Sequence, residues 1–328
     1  LVHRNVYGGG SLSSVGAPKI GQTYDLYHPE HSTEVGKQAL NTVTISGGQV
    51  GDDSSFDASG NYVYGGRVFG GSRGDTKLGT SFATANHTKM TVEEGAHVIG
   101  SVFGGGEAGI VKDSVVVTMN GGSVDHDLYG GGALANTNTS NWDASNNTWA
   151  KDKYAANATT YKTDVILKGG TIGRNVYGGG LGRKASGTEG QADYDPGVAA
   201  KGYGDVLVKL NETIASDNCV VKGAIFGCNN FNGSPQSDVT VHIYKTQGYE
   251  GHMRTAADKL TNEDDADHTY ELAAVYGGGN QAAFSPDLKA TCDTVQAHVI
   301  IDGCDLTSLT NVYGGGNAAS TTATNVTV

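Results

Sequence analysis

For most of its length the chain alternates apolar and polar residues for five or six positions, breaks at a glycine pair, and then resumes. The fullest stretches are SVVVTMNGGSVDHDLYGGG (114–132) and TDVILKGGTIGRNVYGGG (163–180), and NTVTISGGQVG (41–51) gives the first half of another. Aligned on the second glycine of the central pair, apolar residues recur at fixed offsets. Before it stand Val43 and Ile45, Val117 and Met119, or Val165 and Leu167. After it come Val50, Val124 or Ile172, and then Leu128 or Val176. Alternation of period two is the pattern of a strand with one face buried, because successive side chains point to opposite faces. A glycine pair supplies backbone angles with φ > 0 that other residues resist, so it ends the strand in a corner. The expected unit is strand, Gly-Gly corner, strand, Gly-Gly-Gly corner.

An aromatic residue precedes each second corner: Tyr7, Phe69, Phe103, Tyr129, Tyr177, Phe226, Tyr276 and Tyr313. From Phe69 onward the spacing between them ranges from 26 residues (Phe103 to Tyr129) to 50 (Phe226 to Tyr276). Periods of 20 to 50 residues point to solenoids or propellers. A propeller blade needs about four strands at steady spacing, whereas this spacing is irregular and the shortest unit holds two or three. The expected fold is all-β: a parallel β-helix (β-solenoid) of about eight coils, with long insertions after the Gly-Gly-Gly corners, near 11–40, 133–162, 181–203 and 245–270. Pro18, Pro29, Pro196, Pro235 and Pro286 all fall in expected loops, as they must, since proline cannot donate to an interior ladder. Residues 1–328 form one solenoid segment. Both ends stop in mid-repeat, so a piece of a longer repeat protein is expected.

Composition narrows the function classes. The 51 glycines lack a Gly-X-Y period, which excludes collagen. A net charge of −12 with no basic cluster argues against a nucleic-acid partner. No apolar run reaches 18 residues, so no membrane span is expected. Walker, H-E-x-x-H and C-x-x-C sequences are absent. Gly104, Gly106 and Gly109 match G-x-G-x-x-G, but a strand pattern follows where the dinucleotide fingerprint needs a helix.

The remaining candidates each have a plain structural reading beside the functional one. The aromatic slot accepts both Tyr and Phe, which favours structural stacking over an exposed strip for sugar rings. The loop containing Trp142, Trp149, Tyr154 and Tyr161 suits contact with a glycan or protein, or pins the loop to the rod. HPEH (28–31) lacks the spacing of a helical metal pair. Asp52, Asp53 and Asp57, and Asp264, Asp265 and Asp267, concentrate oxygen ligands for a structural Ca²⁺, although neither group fits a known calcium-loop pattern, and solvated acidic loops are the simpler reading. No other cofactor is expected. Cys219, Cys228, Cys292 and Cys304 allow three disulfide pairings, or buried thiols.

The units GGTIGRNVYGGG, GGSVDHDLYGGG and DVTVHI resemble the repeats of very large, glycine-punctuated, adhesin-like surface proteins of gut Bacteroidetes-type bacteria. The resemblance covers nearly the whole chain outside the insertions and implies a cell-surface or secreted β-solenoid, in which coils form a rod or fibre. Asp113-Ser114-Val115 and Asp293-Thr294-Val295 are similar to the O-glycosylation signal of such bacteria, which implies modification at Ser114 and Thr294. The expected function is that of a non-enzymatic extracellular structural and adhesive segment. Its partners would be glycans, surface proteins or further copies of itself. The rival readings are a polysaccharide lyase or glycoside hydrolase carried on a β-helix, and a glycan-binding module.

Overall fold

The computed structural model describes residues 1–15, 40–77, 83–141, 161–246, 260–262, 265–286, 295–303 and 306–328. The chain is a parallel β-helix whose strands stack in chain order without crossovers. The first strands, Leu40–Ile45, His87–Val92, Val115–Val124, Thr163–Ile172, Val206–Leu210, Val239–Ile243, Ala297–Ile301 and Thr324–Thr327, each pair in parallel with the next. An eight-stranded sheet carries the aromatic slots, with Val6–Tyr7 at one edge and Leu309–Tyr313 at the other. The expected single strand between the two corners is divided. A short second strand pairs after the glycine pair (Val50 with Val98, Val98 with Val124, Ile172 with Val221), and the chain turns again before the aromatic slot. These coils are therefore three-sided.

Within the alternating part of the first strands, register follows the hydrophobic pattern, and the ladder shifts only at the glycine corner near Asn120. Val43 pairs with Met90, Met90 with Val117, Val117 with Val165, Val165 with Val208, Val208 with Val241, and Val241 with Val299. All are buried, together with the second-strand residues Val50, Val98, Val124, Ile172 and Val221. A one-residue slip would send every one of these side chains to solvent, so burial fixes the alignment. Each fully buried aliphatic side chain contributes about 1.5–3 kcal/mol, and the sum grows coil by coil.

In the third strand the two slots part. The aliphatic partners Val68, Val102, Leu128, Val176, Ile225 and Val275 join the interior, while the aromatics form a separate stack outside it. From Tyr7 to Tyr313 neighbouring ring centroids are 4.7–5.0 Å apart with interplanar angles of 3–11°. This spacing matches the strand separation of about 4.8 Å, so the ladder imposes offset stacking.

The two glycine corners differ physically. The second glycine of the central pair has positive φ in Gly48, Gly122 and Gly170 (73°, 73° and 79°), as the sequence predicts. No glycine of the triplets has positive φ. They are needed because the backbones meet: a Cβ on Gly130 would overlap the carbonyl oxygen of Gly178, and one on Gly178 that of Gly227. After each aromatic, the corner backbone is bonded in both directions along the rod. Gly130 and Gly131 N–H donate to Tyr177 and Gly179, while Ala133 and Leu134 N–H donate back to Gly106 and Glu107. The triplet is a rigid spine.

The insertions do not all leave after this spine. Residues 11–40, 133–162 and 181–203 do, but the 245–270 insertion departs from the other corner, after Val239–Ile243. There Tyr244-Lys245-Thr246 replaces the glycine pair, and the tight turn is lost. Another excursion, 52–66, opens between the second and third strands.

Candidate functional site

Fourth and fifth after each aromatic come the side chains that emerge from the glycine spine. In successive coils they form a row: Glu107, Ala133 with Leu134, Leu181, Asn230 with Phe231, and Asn280 with Gln281. Their backbones form part of the same ladder, with Phe231 N–H bonded to Leu181 O at 2.8 Å and Gln281 N–H to Asn230 O at 2.8 Å. The row floors a cavity of about 550 Å³. One wall is the turn of segment 181–203, where Arg183, Lys184, Ala185 and Ser186 line the cavity, and Arg67 lines it as well. Smaller hollows continue the groove at both ends, about 280 Å³ beside Glu107 and about 300 Å³ beside Phe231 and Gln281.

Polar contacts hold the walls. Segment 181–203 folds back on itself through bridges between Arg183 and Val198 and between Ser186 and Asp195. Arg183 pairs with Asp195 at 2.9 Å. The Asp195 carboxyl lies below its ordinary range, first through the Gly197 N–H and then through Arg183. Lys184 Nζ donates to Gln281 Oε1 at 2.7 Å. Glu107 accepts from the hydroxyls of Tyr7 (2.5 Å) and Tyr64 (2.9 Å). Burial, reinforced by the Glu107 carboxylate, raises both phenols above their ordinary pKa. The Arg67 guanidinium lies over the rings of Tyr64 and Tyr62, 5.1 and 5.9 Å from their centroids, and its Nε donates to Tyr62 Oη.

Beneath the groove, amides stitch the spine to the aromatic stack. Asn230 Nδ2 donates to Tyr129 Oη at 2.9 Å, Asn280 Nδ2 to Asn230 Oδ1 at 3.0 Å, and Asn317 Nδ2 to Asn280 Oδ1 at 2.9 Å. Tyr129 and Tyr177 are buried, and burial raises their phenol pKa values. The rings from Phe69 to Phe226 are at most 3% exposed, so a sugar has no ring face to stack on there.

The other sequence candidates are scattered. Trp142, Trp149 and Tyr154 lie outside the described residues, as do Asp264, Cys292, Thr294, Cys304 and the HPEH stretch; for Asp265 and Asp267 only the strand backbone is described. Tyr161 is half-buried, and its carbonyl accepts from Asn141 at 3.0 Å. Asp52, Asp53 and Asp57 do not converge. Asp52 caps the short helical turn Asp53–Ser55 and bonds to Ser54 and His3, while Asp57 takes the N–H groups of Ser59 and Asn61. Ser54 and His3 bring the Asp52 carboxyl down to about 2. Among the described residues no three His, Cys, Asp or Glu side chains could together hold a metal ion.

No disulfide joins Cys219 to Cys228. Cys219 packs in the aliphatic interior, its N–H bonded to Asn211 Oδ1, whereas Cys228 sits in the glycine spine as a free thiol. Burial pushes the Cys228 thiol pKa well up, which holds it protonated and unreactive. Ser114 is 1% exposed at the start of a central strand, which leaves no room for a sugar in the folded coil. The groove residues Arg67, Arg183, Lys184 and Phe231 escape a reading of repeats because three lie at or beyond the corner and one before it. The available signal is the recurrence of Leu134, Leu181 and Phe231 just past a glycine corner, where a solvent-facing turn would be polar.

No family model, curated protein or solved structure matches the chain. Among the described residues no helix is long and apolar enough to cross a membrane.

Proposed function

We propose that this chain is a non-enzymatic, extracellular structural and adhesive segment of a bacterial surface protein or fibre. In this reading the coils act as a stiff spacer and the groove on the glycine spine makes contact with glycans. The observation that carries it is the uninterrupted aromatic stack from Tyr7 to Tyr313. Seven successive ring contacts, backed by parallel ladders on the other sides, keep the coils in register while segments of very different length ride outside. Such a rod transmits position along its axis, and its variable segments are free to take on contacts. The resemblance to adhesin-like surface repeats points the same way.

Two measurements test this reading. Antibody against the segment should label intact cells of the source organism; label seen only after permeabilisation would remove the extracellular assignment. Incubation with a panel of polysaccharides should release no reducing ends and no unsaturated sugars. Turnover of any of them would turn the assignment towards a lyase or hydrolase.

A further inference from the structure

The groove's charges are unevenly matched, and this points to its ligand. Other ionisable groups around it have their partners: Arg183 is paired with Asp195, and Glu107 is capped by the phenols of Tyr7 and Tyr64. Two cations are left over. Arg67 lies on the Tyr64 ring with only its Nε bonded, and Lys184 donates only to the neutral amide of Gln281. Among the described residues no carboxylate lies within ion-pair distance of either. A protein with a net charge of −12 thus turns two unmatched cations into one cavity of about 550 Å³. Between them runs an apolar floor of Leu134, Leu181 and Phe231, with Phe231 38% exposed.

We propose that this cavity binds a carboxylated pyranose of an acidic glycan; the inference rests on the reading of the groove as a glycan-contact surface. The C–H face of the ring lies on Phe231 and the leucines, as sugars do on aromatic faces. Carboxylates of the glycan chain meet Arg67 and Lys184, which stand at different levels of the rod and whose spare N–H groups give charge-assisted bonds. Neighbouring sugars continue along the rod into the flanking hollows, where Asn232 and Ser285 at one end and Asp75, Thr76 and Lys77 at the other carry groups that pair with hydroxyls. An extended peptide fits less well. The floor's N–H groups are already bonded between coils, as in Leu134 to Glu107, Gly182 to Ala133 and Phe231 to Leu181, and offer little for strand addition.

The test is a glycan array carrying uronate-containing chains, sialylated chains and neutral chains of similar length, followed by titration calorimetry on the best binder and on its carboxyl methyl ester. Binding should favour one of the two acidic arms, which identifies the source of the carboxylate. Esterification, Arg67→Gln or Lys184→Gln should each weaken it about tenfold, and Phe231→Ala should weaken acidic and neutral chains alike. Lys168→Gln, on another face, should leave affinity unchanged. Circular dichroism and melting of each variant guard against misfolding, and Lys184 lies outside the coil core, so its variant keeps the test valid if Arg67→Gln unfolds. Equal binding of ester and acid, or of neutral chains, would overturn the carboxylate assignment while leaving glycan adhesion standing. Acidic binding that survives both charge variants would move the site elsewhere. No binding on any arm would overturn the inference; cell labelling and substrate turnover test the broader function separately.

Discussion

The two glycine corners of each coil look alike in sequence and solve different problems. At the central pair, Gly48 has φ of 73° with no atom within 4 Å of where a Cβ would stand. The requirement there is conformational. At the triplet, Gly130 has ordinary φ but faces the backbone of the next coil so closely that a Cβ would overlap the Gly178 carbonyl. The requirement there is approach between coils. A conformational requirement is local and can be met approximately by Asn, whereas an approach requirement is collective, because each coil's corner is the floor of its neighbour's. The chain reflects this: the first triplet glycine recurs after all eight aromatics, while in the 239–276 coil Tyr244-Lys245-Thr246 replaces the central pair and an insertion leaves there.

The strongest test of this difference is Gly130→Ala. The methyl group has backbone on the facing coil and the Val165 side chain beside it, so neither neighbour can give way cheaply. Overpacking of this kind costs about 1–3 kcal/mol or more, and the upper end is expected because the clash is with backbone. Chemical denaturation should show a lower midpoint and, if unfolding spreads from the broken joint, a shallower transition. A midpoint equal to that of the parent would mean that the spine is looser than described.

Gly48→Ala should cost less, about 1–2 kcal/mol, from the left-handed backbone alone. Gly48→Asn should recover part of that loss, whereas Asn at Gly130 should be at least as harmful as Ala. Gly47→Ala is the internal control. Its φ is ordinary and its nearest neighbour, the Gly95 carbonyl oxygen, is 3.9 Å away, so the midpoint should stay within error. Equal losses at Gly47 and Gly48 would show that φ is not what selects glycine at this corner.

Much of this architecture is legible in the sequence, because periodicity is a local property. Val117 and Met119 predict a half-buried strand by alternation, and the Val-Tyr order predicts two ladders on opposite faces; both are observed. The extra turn carries no glycine at Asp125-His126-Asp127, and the single glycines at or beside it in other coils, Gly51, Gly100, Gly173 and Gly223, are overshadowed by the pairs and triplets on either side. The role of the triplet is hidden for a different reason: glycine selected for close approach and glycine selected for φ have the same letter. The groove is least legible of all. Arg67 and Lys184 are 117 residues apart in sequence and line one cavity only because the coils between them stack at about 4.8 Å each.

Tyr129→Phe probes how the spine is tied to the stack. The variant keeps the ring contacts with Phe103 and Tyr177 but removes the hydroxyl that accepts from Asn230 and donates to Asp127. A loss of about 1 kcal/mol is expected, the ordinary value of one net hydrogen bond. Combining it with Asn230→Ala should cost less than the sum of the two single changes, because the buried amide then has no lost partner. Strict additivity in that cycle would argue that the amide row and the ring stack are energetically separate.

The third corner, without glycine in the coil of His126, should have the smallest effect and the only pH-dependent one. His126 is packed against the Tyr62 ring, with centroids 4.0 Å apart. Burial, then the charge of Arg174, lower its pKa from 6.5 to about 4, Asp125 opposing and Arg67 adding slightly. The unfolded chain therefore binds this proton more readily than the folded one, so the contribution is complete above pH 6.5 and is lost as pH falls towards 4. Asp127, raised by burial, works in the opposite sense at the low end of that window and partly offsets it. Comparing His126→Gln with the parent isolates the histidine. The parent's melting temperature should fall more steeply between pH 6.5 and 4.5 than the variant's, and the two slopes should agree from pH 7 to 8. Parallel curves throughout would mean that the ring is protonated without leaving Tyr62, and that this corner, like the glycine spine, is held by backbone rather than by its side chains.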